Sequence, residues 1–315
     1  MRNEQEYIYT VYQKGSFSKA AQALYLTQPA LSLAIQRVEN EIGVPLFDRT
    51  QKPLRLTEAG RLYIESLEKM KVLEEELSSR LHDLSSMNTG HVRIGATSYL
   101  LSCILPPVML RFKKCYPGVK LDIVEAGSYE LRERLRNQQL DITFISHWSK
   151  DMDFATYSGF QDRILLAVPA SLPINEGLQS FALTSEDVAN EVHLKENWPS
   201  VDLAAFRDTP FVLMETNYNL RTRVDSFFQQ SGFEPNICLE VSQIVTAYAL
   251  AQAEIGATFI PDRVVARDCG DLVFYKLGLP QATRNMRIAT NERSYLSVAA
   301  KKFIEMFAEY YQMPK

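Results

Sequence analysis

The sequence predicts a multi-domain α/β chain in three parts: a small helical module closed by a hairpin, one long helix, and a larger region of two α/β lobes. Three observations predict it. Apolar residues recur at helical spacing through residues 7–38, broken by a Gly stop and by Ser/Thr caps. Neither Gly nor Pro interrupts a helical pattern from Arg61 to Asn88. From His91 onward, strand-like alternation and helical periodicity take turns, the order that gives a parallel sheet.

The 315 residues are 46% hydrophobic and 23% charged, enough for a packed core in each part. The net charge of -4 excludes DNA binding by global attraction, so any nucleic-acid contact must be local. Residues 1–57 carry Arg2, Lys14, Lys19, Arg37, Arg49, Lys52 and Arg55 against Glu4, Glu6, Glu39, Glu41 and Asp48, a nearly balanced set. No secretory leader or membrane-spanning run is legible, so a cytoplasmic protein is expected. Cys103, Cys115, Cys238 and Cys269 form no CxxC pair, and reduced thiols are expected. Twelve residues of helix between Cys103 and Cys115 would span about 18 Å, beyond disulfide reach.

The first helix carries Tyr7, Ile8, Val11 and Tyr12 and stops at Gly15. Ser16 or Ser18 caps a second, whose Ala20-Ala21 pair allows close packing. After a break at Tyr25-Leu26, Thr27 caps a third helix and Pro29 falls in its first turn, where a missing N–H costs nothing. Leu31, Ile35 and Val38 line its inner face. Gln28, Ser32, Leu33, Gln36 and Arg37 face outward. In a helix-turn-helix such a row enters the major groove, where Gln suits adenine, Arg suits guanine, and Leu33 suits a thymine methyl. An ordinary three-helix core with a polar face fits these features equally well. Extended runs near Phe47–Arg49 and Leu54–Leu56 then flank a turn, giving a hairpin that carries Arg49, Lys52 and Arg55, suited to phosphate or the minor groove.

At these residues the chain resembles the LysR-type transcriptional regulators. The resemblance rests on Gly15-Ser16-Phe17-Ser18-x-Ala20-Ala21-x-x-Leu24, Thr27-Gln28-Pro29-Ala30-Leu31-Ser32-x-x-Ile35, Glu39-x-x-Ile42-Gly43-x-x-Leu46-Phe47-x-Arg49 and Leu56-Thr57-x-Ala59-Gly60. It spans about sixty residues without a gap. Leu33 departs from the Arg or polar residue common there, which bears on base preference and not on fold. The resemblance implies a winged helix-turn-helix over 1–57 that binds DNA, through Ser18, Thr27, Gln28, Pro29, Ser32, Leu33, Gln36, Arg37, Arg49 and Lys52.

Thr57 caps the long helix. Leu62, Tyr63, Leu67, Met70, Leu73, Leu77, Leu81 and Leu84 recur in steps dominated by three and four, a stripe suited to pairing with a second copy. A helix packed only on its own domain is the competing reading. Pairing would present two recognition helices to a near-palindromic operator in double-stranded DNA. Residues 58–89 are read as this linker and dimerisation helix, ending in a hinge at Met87-Asn88-Thr89-Gly90.

Residues 90–315 form the two lobes, the first from about 90–161 and 269–315, the second from 162–268. Strands are expected at 91–96, 119–125, 140–146, 211–214, 240–241, 255–261 and 272–275. Helices are expected from Pro106-Pro107, at Ser128–Asn137, Leu220–Ser231, Gln243–Ala253 and Tyr295–Tyr311. The resemblance implies a small-molecule effector domain similar to periplasmic solute-binding proteins, looser in match and resting mainly on element order and on Ile255-Gly256-Ala257-x-Phe259-Ile260-Pro261. Ligands of open α/β sheets lie beyond strand carboxyl ends, which selects Thr97, Ser98, Ser128, Thr216 and Asn217 as effector contacts; hydroxyls at helix N-termini favour an anion, although plain capping explains each one alone. Arg221 reads as a solvated helix face. No GxSxG, GxGxxG, P-loop, HExxH or metal-ligand cluster is present, so neither enzyme chemistry nor a cofactor is expected. A solute-binding protein fits the lobes but not the N-terminal ninety residues. The expected function is ligand-responsive DNA binding: effector shifts the lobe angle and, through the hinge, the DNA-binding heads. The family further implies a tetramer, and RNA polymerase as a partner where the regulator activates.

Overall fold

A computed structural model describes residues 3–50, 53–85, 90–146, 153–216, 218–265 and 271–311. The chain divides into two compact units, Met1–Leu81 and His82–Lys315.

In the first unit, α1 (Asn3–Lys14), α2 (Phe17–Ala23) and α3 (Gln28–Ile42) pack around Ile8, Val11, Ala20, Ala21, Leu31, Ile35 and Val38. The caps follow the expected chemistry. Ser16 Oγ accepts the Lys19 N–H, Thr27 Oγ1 accepts that of Ala30, and Pro29 sits in the first turn of α3. Gly43 ends α3 at φ 85°, a left-handed conformation that favours glycine. The hairpin is β1 (Phe47–Asp48) with β2 (Arg55–Leu56), antiparallel, with Phe47 opposite Leu56. Thr57 then caps α4 (Glu58–Ser85), its Oγ1 accepting from the Gly60 N–H at 2.9 Å. Gly60 is required there by close approach: a Cβ would lie 2.0 Å from the Leu46 carbonyl oxygen.

At about 1.5 Å per residue, the 28 residues of α4 span about 42 Å. Its apolar residues serve two surfaces, which corrects the single stripe expected from spacing. Leu67, together with Ile64, is buried in the three-helix core, and Tyr63 packs against that core half-buried. Leu62, Leu73, Leu77 and Leu81 each stand more than half exposed. Met87, Asn88 and Thr89 of the expected hinge lie outside the described residues; Gly90 opens the next strand at φ 132°.

In the second unit, β3 (Gly90–Ala96) pairs in parallel with β4 (Val119–Glu125), and Ile94 bridges in parallel to Ile142 beside β5 (Thr143–Ile145). A π-helical turn at Leu100–Ile104 leads into α5 (Leu105–Cys115), so helical structure begins earlier than the proline pair suggested, while both prolines fall in the first turn of α5. Cys103 and Cys115 sit in that turn and at the end of α5 as free thiols. The helix α6 (Ser128–Arg136) completes the first β-α-β-α-β run.

The crossing is made by β6 (Phe154–Pro169), which runs 16 residues through both lobes. The second lobe adds β7 (Ala182–Leu183), α7 (Ser185–Ala189), β8 (Pro210–Met214), α8 (Asn219–Ser231), β9 (Asn236–Val241), α9 (Ile244–Gln252) and β10 (Thr258–Pro261). Strands β8 and β9 are parallel, and β10 lies antiparallel to β6. The next strand, β11 (Leu272–Lys276), pairs with β6 at Leu165–Pro169 and with β7. It therefore belongs with β10 in the second lobe, not with the first lobe as a boundary at 269 would have it. The return crossing is β12 (Thr283–Asn291), antiparallel to β6 and β5 and followed by α10 (Val298–Tyr311). Two crossing strands were expected between the lobes, but none was assigned to 283–291, where Arg284, Asn285, Arg287, Thr290 and Asn291 break the apolar alternation. Arg284, Thr290 and Asn291 are in fact buried.

Candidate functional site

Two surfaces have the character of sites. The first is the outer face of α3, where Leu31, Ile35 and Val38 anchor the helix and two adjacent rows point away, Gln28-Ser32-Gln36 and Pro29-Leu33-Arg37. Gln28, Leu33, Gln36 and Arg37 are exposed, and among the described residues their side chains make no hydrogen bond or ion pair. Ser18 is exposed in the first turn of α2, and Thr27 at the start of α3. These residues form one polar face with a single large apolar member, Leu33.

Arg49 departs from expectation. Its guanidinium donates to Ser32 Oγ at 3.0 Å and to Glu39 Oε2 at 2.9 Å, and it lies over the Phe17 ring at 5.0 Å. Glu39 is buried, and its other oxygen accepts the Leu46 and Phe47 N–H groups at 2.8 and 3.2 Å. A buried carboxylate requires such partners. Arg49 thereby braces the hairpin to the recognition helix, with its side chain still 40% exposed. Sequence reasoning counted Glu39 as a negative charge and as part of the family pattern that ends at Arg49, without pairing the two; the Glu39-x9-Arg49 spacing held the signal. Of the other wing cations, Arg55 is exposed and Lys52 lies outside the described residues.

The second surface is a cleft of about 300 Å³ between the lobes of the second unit. Thr97 and Ser98 enter it beyond β3, and Ser128 at the first residue of α6, as expected. The cap of α6 is Gly127, which supplies no side-chain acceptor, so the first N–H groups of the helix have no such partner there. Thr216 is exposed and does not line the cleft, and Asn217 lies outside the described residues; Asn219, at the start of α8, stands there instead. Two side-chain bonds join the lobes across the cleft: Ser98 Oγ to Gln243 Oε1, and Ser146 Oγ to Asn219 Oδ1 at 3.3 Å. Ser146, Asn219 and Gln243 were missed, yet Ser146 and Gln243 follow β5 and β9, so the rule that found Thr97 would have found both.

Four lining residues carry charge or its shadow. Arg132, one helical turn from Ser128, lies 4.6 Å from the Tyr129 ring centroid and has no acidic partner among the described residues. Glu125 is exposed at the rim. At the floor, Arg284 donates from Nε to Asp162 Oδ1 at 2.7 Å and grips Oδ2 with Nη2, while the Tyr99 hydroxyl donates to Asp162 Oδ2 at 2.8 Å. Burial alone would lower the Arg284 guanidinium; the Asp162 carboxylate overrides it, and the net direction is upward. Burial, then the Asp162 charge, pushes the Tyr99 hydroxyl well above its ordinary range. Arg284 thus brings no free positive charge to the cleft. Arg221 is likewise engaged: it is buried, donates to Asp225 Oδ1 and the Met214 carbonyl at 2.7 and 2.6 Å, and grips Glu240, tying α8 to β8 and β9 instead of facing solvent.

An exposed polar face on a capped helix and an interlobe α/β cleft in one chain are the two parts of a ligand-sensing transcription regulator. Residues 3–61 match the family model described as bacterial regulatory helix-turn-helix protein, lysR family, and residues 85–312 match the LysR substrate binding domain; the chain belongs to the LysR family of DNA-binding transcription regulators. It is similar to the HTH-type transcriptional regulator YybE of Bacillus subtilis, 26% identical over 95% of this chain and 94% of that one. It is also 26% identical to a probable RuBisCO transcriptional regulator of Chlorokybus atmophyticus, over 92% of this chain and 88% of its relative. Among solved structures, full-length CbnR complexed with its target DNA superposes with a TM-score of 0.69 at 18% identity, over 97% and 98% of the two chains. The effector binding domain of QuiR in complex with shikimate gives 0.57 at 16% identity, over 71% of this chain and 98% of that one. At such identities the structural likeness shows the fold. The relatives are regulators and not enzymes. No helix among the described residues is long and apolar enough to cross a membrane.

Proposed function

We propose that this regulator reads a near-palindromic operator as a homodimer in the cytoplasm and responds to a small anionic metabolite in the interlobe cleft. The observation that carries the reading is the set of donors without acceptors at one corner of the cleft: the N–H groups at the start of α6, the Ser128 hydroxyl and the Arg132 guanidinium one turn on. A helix N-terminus with an arginine favours a carboxylate or phosphate. Thr97 adds a hydroxyl, and Glu125 at the rim accepts from a ligand hydroxyl. Shikimate, held by the effector domain of QuiR, is a hydroxylated carboxylate of this class. Ligand polar groups replace the Ser98–Gln243 and Ser146–Asn219 bonds, so occupancy shifts the population of lobe angles.

On the DNA side, Gln28, Gln36 and Arg37 read base edges, Leu33 meets a thymine methyl, and Ser18, Thr27 and Ser32 hold phosphates. The exposed leucines of α4 pair two chains; a tetramer, and contact with RNA polymerase where the regulator activates, extend the same reading. The test is footprinting on the intergenic DNA upstream of the protein's own gene, with the parent chain and with Gln36→Ala. A protected near-palindrome that the variant relaxes supports the reading. Absence of protection at low salt, short of aggregation, overturns it.

A further inference from the structure

The turn between α2 and α3 holds an aromatic side chain out in water. Tyr25 is 97% exposed, and its backbone is left-handed at φ 55°. The Leu26 N–H returns to the Ala21 carbonyl at 2.9 Å and the Tyr25 N–H to the Gln22 carbonyl at 3.3 Å, the paired bonds that close a helix around a left-handed residue. Glycine takes this place after α1, α3 and α8, as Gly15, Gly43 and Gly232. The other left-handed residues that bear a Cβ, Gln138, Glu191 and Glu254, have polar side chains that water solvates; among the described residues Tyr25 is the one aromatic in this conformation.

Nothing within the chain accounts for a tyrosine here. The ring buries almost no surface, so packing contributes nothing. Its hydroxyl has no hydrogen-bond partner among the described residues. Glycine, which lacks a Cβ, would hold the left-handed turn at lower cost. The surroundings are those of a surface that meets a polyanion. Ser18, Lys19 and Gln22 are exposed on α2, and residues 27–30 are exposed without a break where α3 begins. Residues 7–38 contain no Asp or Glu, and their charges are Lys14, Lys19 and Arg37. In a helix-turn-helix the first helix of the pair crosses the phosphate backbone and the second lies in the groove, so the turn between them passes over the backbone at the groove's edge.

We propose that Tyr25 is a positioning residue for DNA, its phenol hydroxyl donating to a backbone phosphate at the edge of the groove that α3 enters. Phosphate oxygens only accept, and the hydroxyl supplies the donor. The two bonds that close the turn fix the Tyr25 backbone in advance, so little chain entropy is lost when the contact forms. A phosphate contact sets the register and orientation of the head on the duplex and carries no sequence information. A phenol brings no positive charge, so this contact releases no counterion and leaves the salt dependence of binding as it is. The contact rests on the reading of the α3 face as the operator-binding surface, and adds to it a residue that holds the duplex without choosing its sequence.

The experiment titrates the full-length parent, Tyr25→Phe and Tyr25→Gly by fluorescence anisotropy against the intergenic DNA upstream of the protein's own gene and against a shuffled duplex of the same length, over a range of salt. Tyr25→Phe is expected to weaken binding to both duplexes by roughly tenfold, with the salt dependence and the thermal unfolding midpoint unchanged. Tyr25→Gly is expected to bind no better than Tyr25→Phe while unfolding no earlier than the parent, because glycine suits the turn. Ethylation of single phosphates in the intergenic fragment reads the contact directly: a phosphate whose ethylation weakens the parent is expected to have no further effect on Tyr25→Phe. Unchanged affinity in Tyr25→Phe, or an ethylation pattern identical to the parent's, overturns the contact and leaves operator binding by α3 intact. A loss confined to the intergenic fragment shows a base contact in place of a phosphate contact, and overturns the proposal as well. A parent that binds neither duplex at low salt overturns the operator reading itself, and the Tyr25 contact with it.

Discussion

Arg284 on β12 stands directly opposite Asp162 on β6, and the two close a bidentate ion pair at the point where the chain passes between lobes. Both are buried, and the Tyr99 hydroxyl completes the coordination of the carboxylate. Removing one partner strands the other charge in a low-dielectric setting, whereas removing both does not. Arg284→Met is therefore expected to cost about 3–5 kcal/mol. The double variant Asp162→Asn/Arg284→Met is expected to recover part of that loss. Urea denaturation of the three proteins checks it; a double variant no more stable than Arg284→Met would show that the stranded charge is not the cause.

Burial raises the Tyr275 hydroxyl pKa to about 12, from an ordinary 10.0. The ring is fully buried, and its hydroxyl donates to Asn175 Oδ1 at 2.7 Å. A folded-state value above the unfolded one means that the unfolded chain gives up this proton first as pH rises. The stability contribution is intact below about pH 10 and is lost progressively as pH climbs toward about 12. Tyr311 behaves alike, also raised to about 12 by burial. Alkaline unfolding followed by tyrosinate absorbance should show late-titrating tyrosines that appear only with unfolding. Tyr275→Phe should flatten the pH dependence in that window, and an unchanged slope would contradict the assignment.

Glu39→Gln removes the acceptor that Arg49 uses and presents an amide donor to it. A loss of about 1–3 kcal/mol in the stability of the first unit is expected from the unmatched groups. The Arg49 link from hairpin to α3 is also lost, so affinity for operator DNA should fall in Glu39→Gln as in Arg49→Met, both of which leave the two backbone bonds from Leu46 and Phe47 in place. Gel-shift titration alongside thermal unfolding separates the two effects.

On α4, Leu73→Lys/Leu77→Lys places charges on the exposed stripe and not in the core. Sedimentation velocity should show a shift toward monomer with little change in helical content. A variant that stays dimeric would move the pairing surface elsewhere.

In the cleft, Arg132→Leu removes the guanidinium that has no acidic partner among the described residues. Hydrogen bonds to charged groups are worth about 1.5–3 kcal/mol, so anionic effector binding should weaken by roughly 10- to 100-fold. DNA affinity without effector should stay as it is. Retained effector affinity would mean that the anion is held elsewhere in the cleft or that the effector is neutral.

Elements whose signals are local were legible before the fold was known. Helical spacing at Ile8, Val11, Leu31, Ile35 and Val38, caps at Ser16, Thr27 and Thr57, and a glycine stop at 43 all act within a few residues, so the three-helix core and the start of α4 were legible. So was the alternation that placed β3, β4 and α6, and with them Thr97, Ser98 and Ser128. Features that depend on a distant partner emerged only in the folded chain. Arg49 became a brace because Glu39 is buried beneath it, and Leu67 left the dimer stripe because the three-helix core needed covering. β12 went unread because Arg284 resembles a surface residue until Asp162, 122 positions away, neutralises it. A buried polar side chain is stable only with its partner in place. Periodicity records which residues avoid water, and carries no mark of which charges will meet.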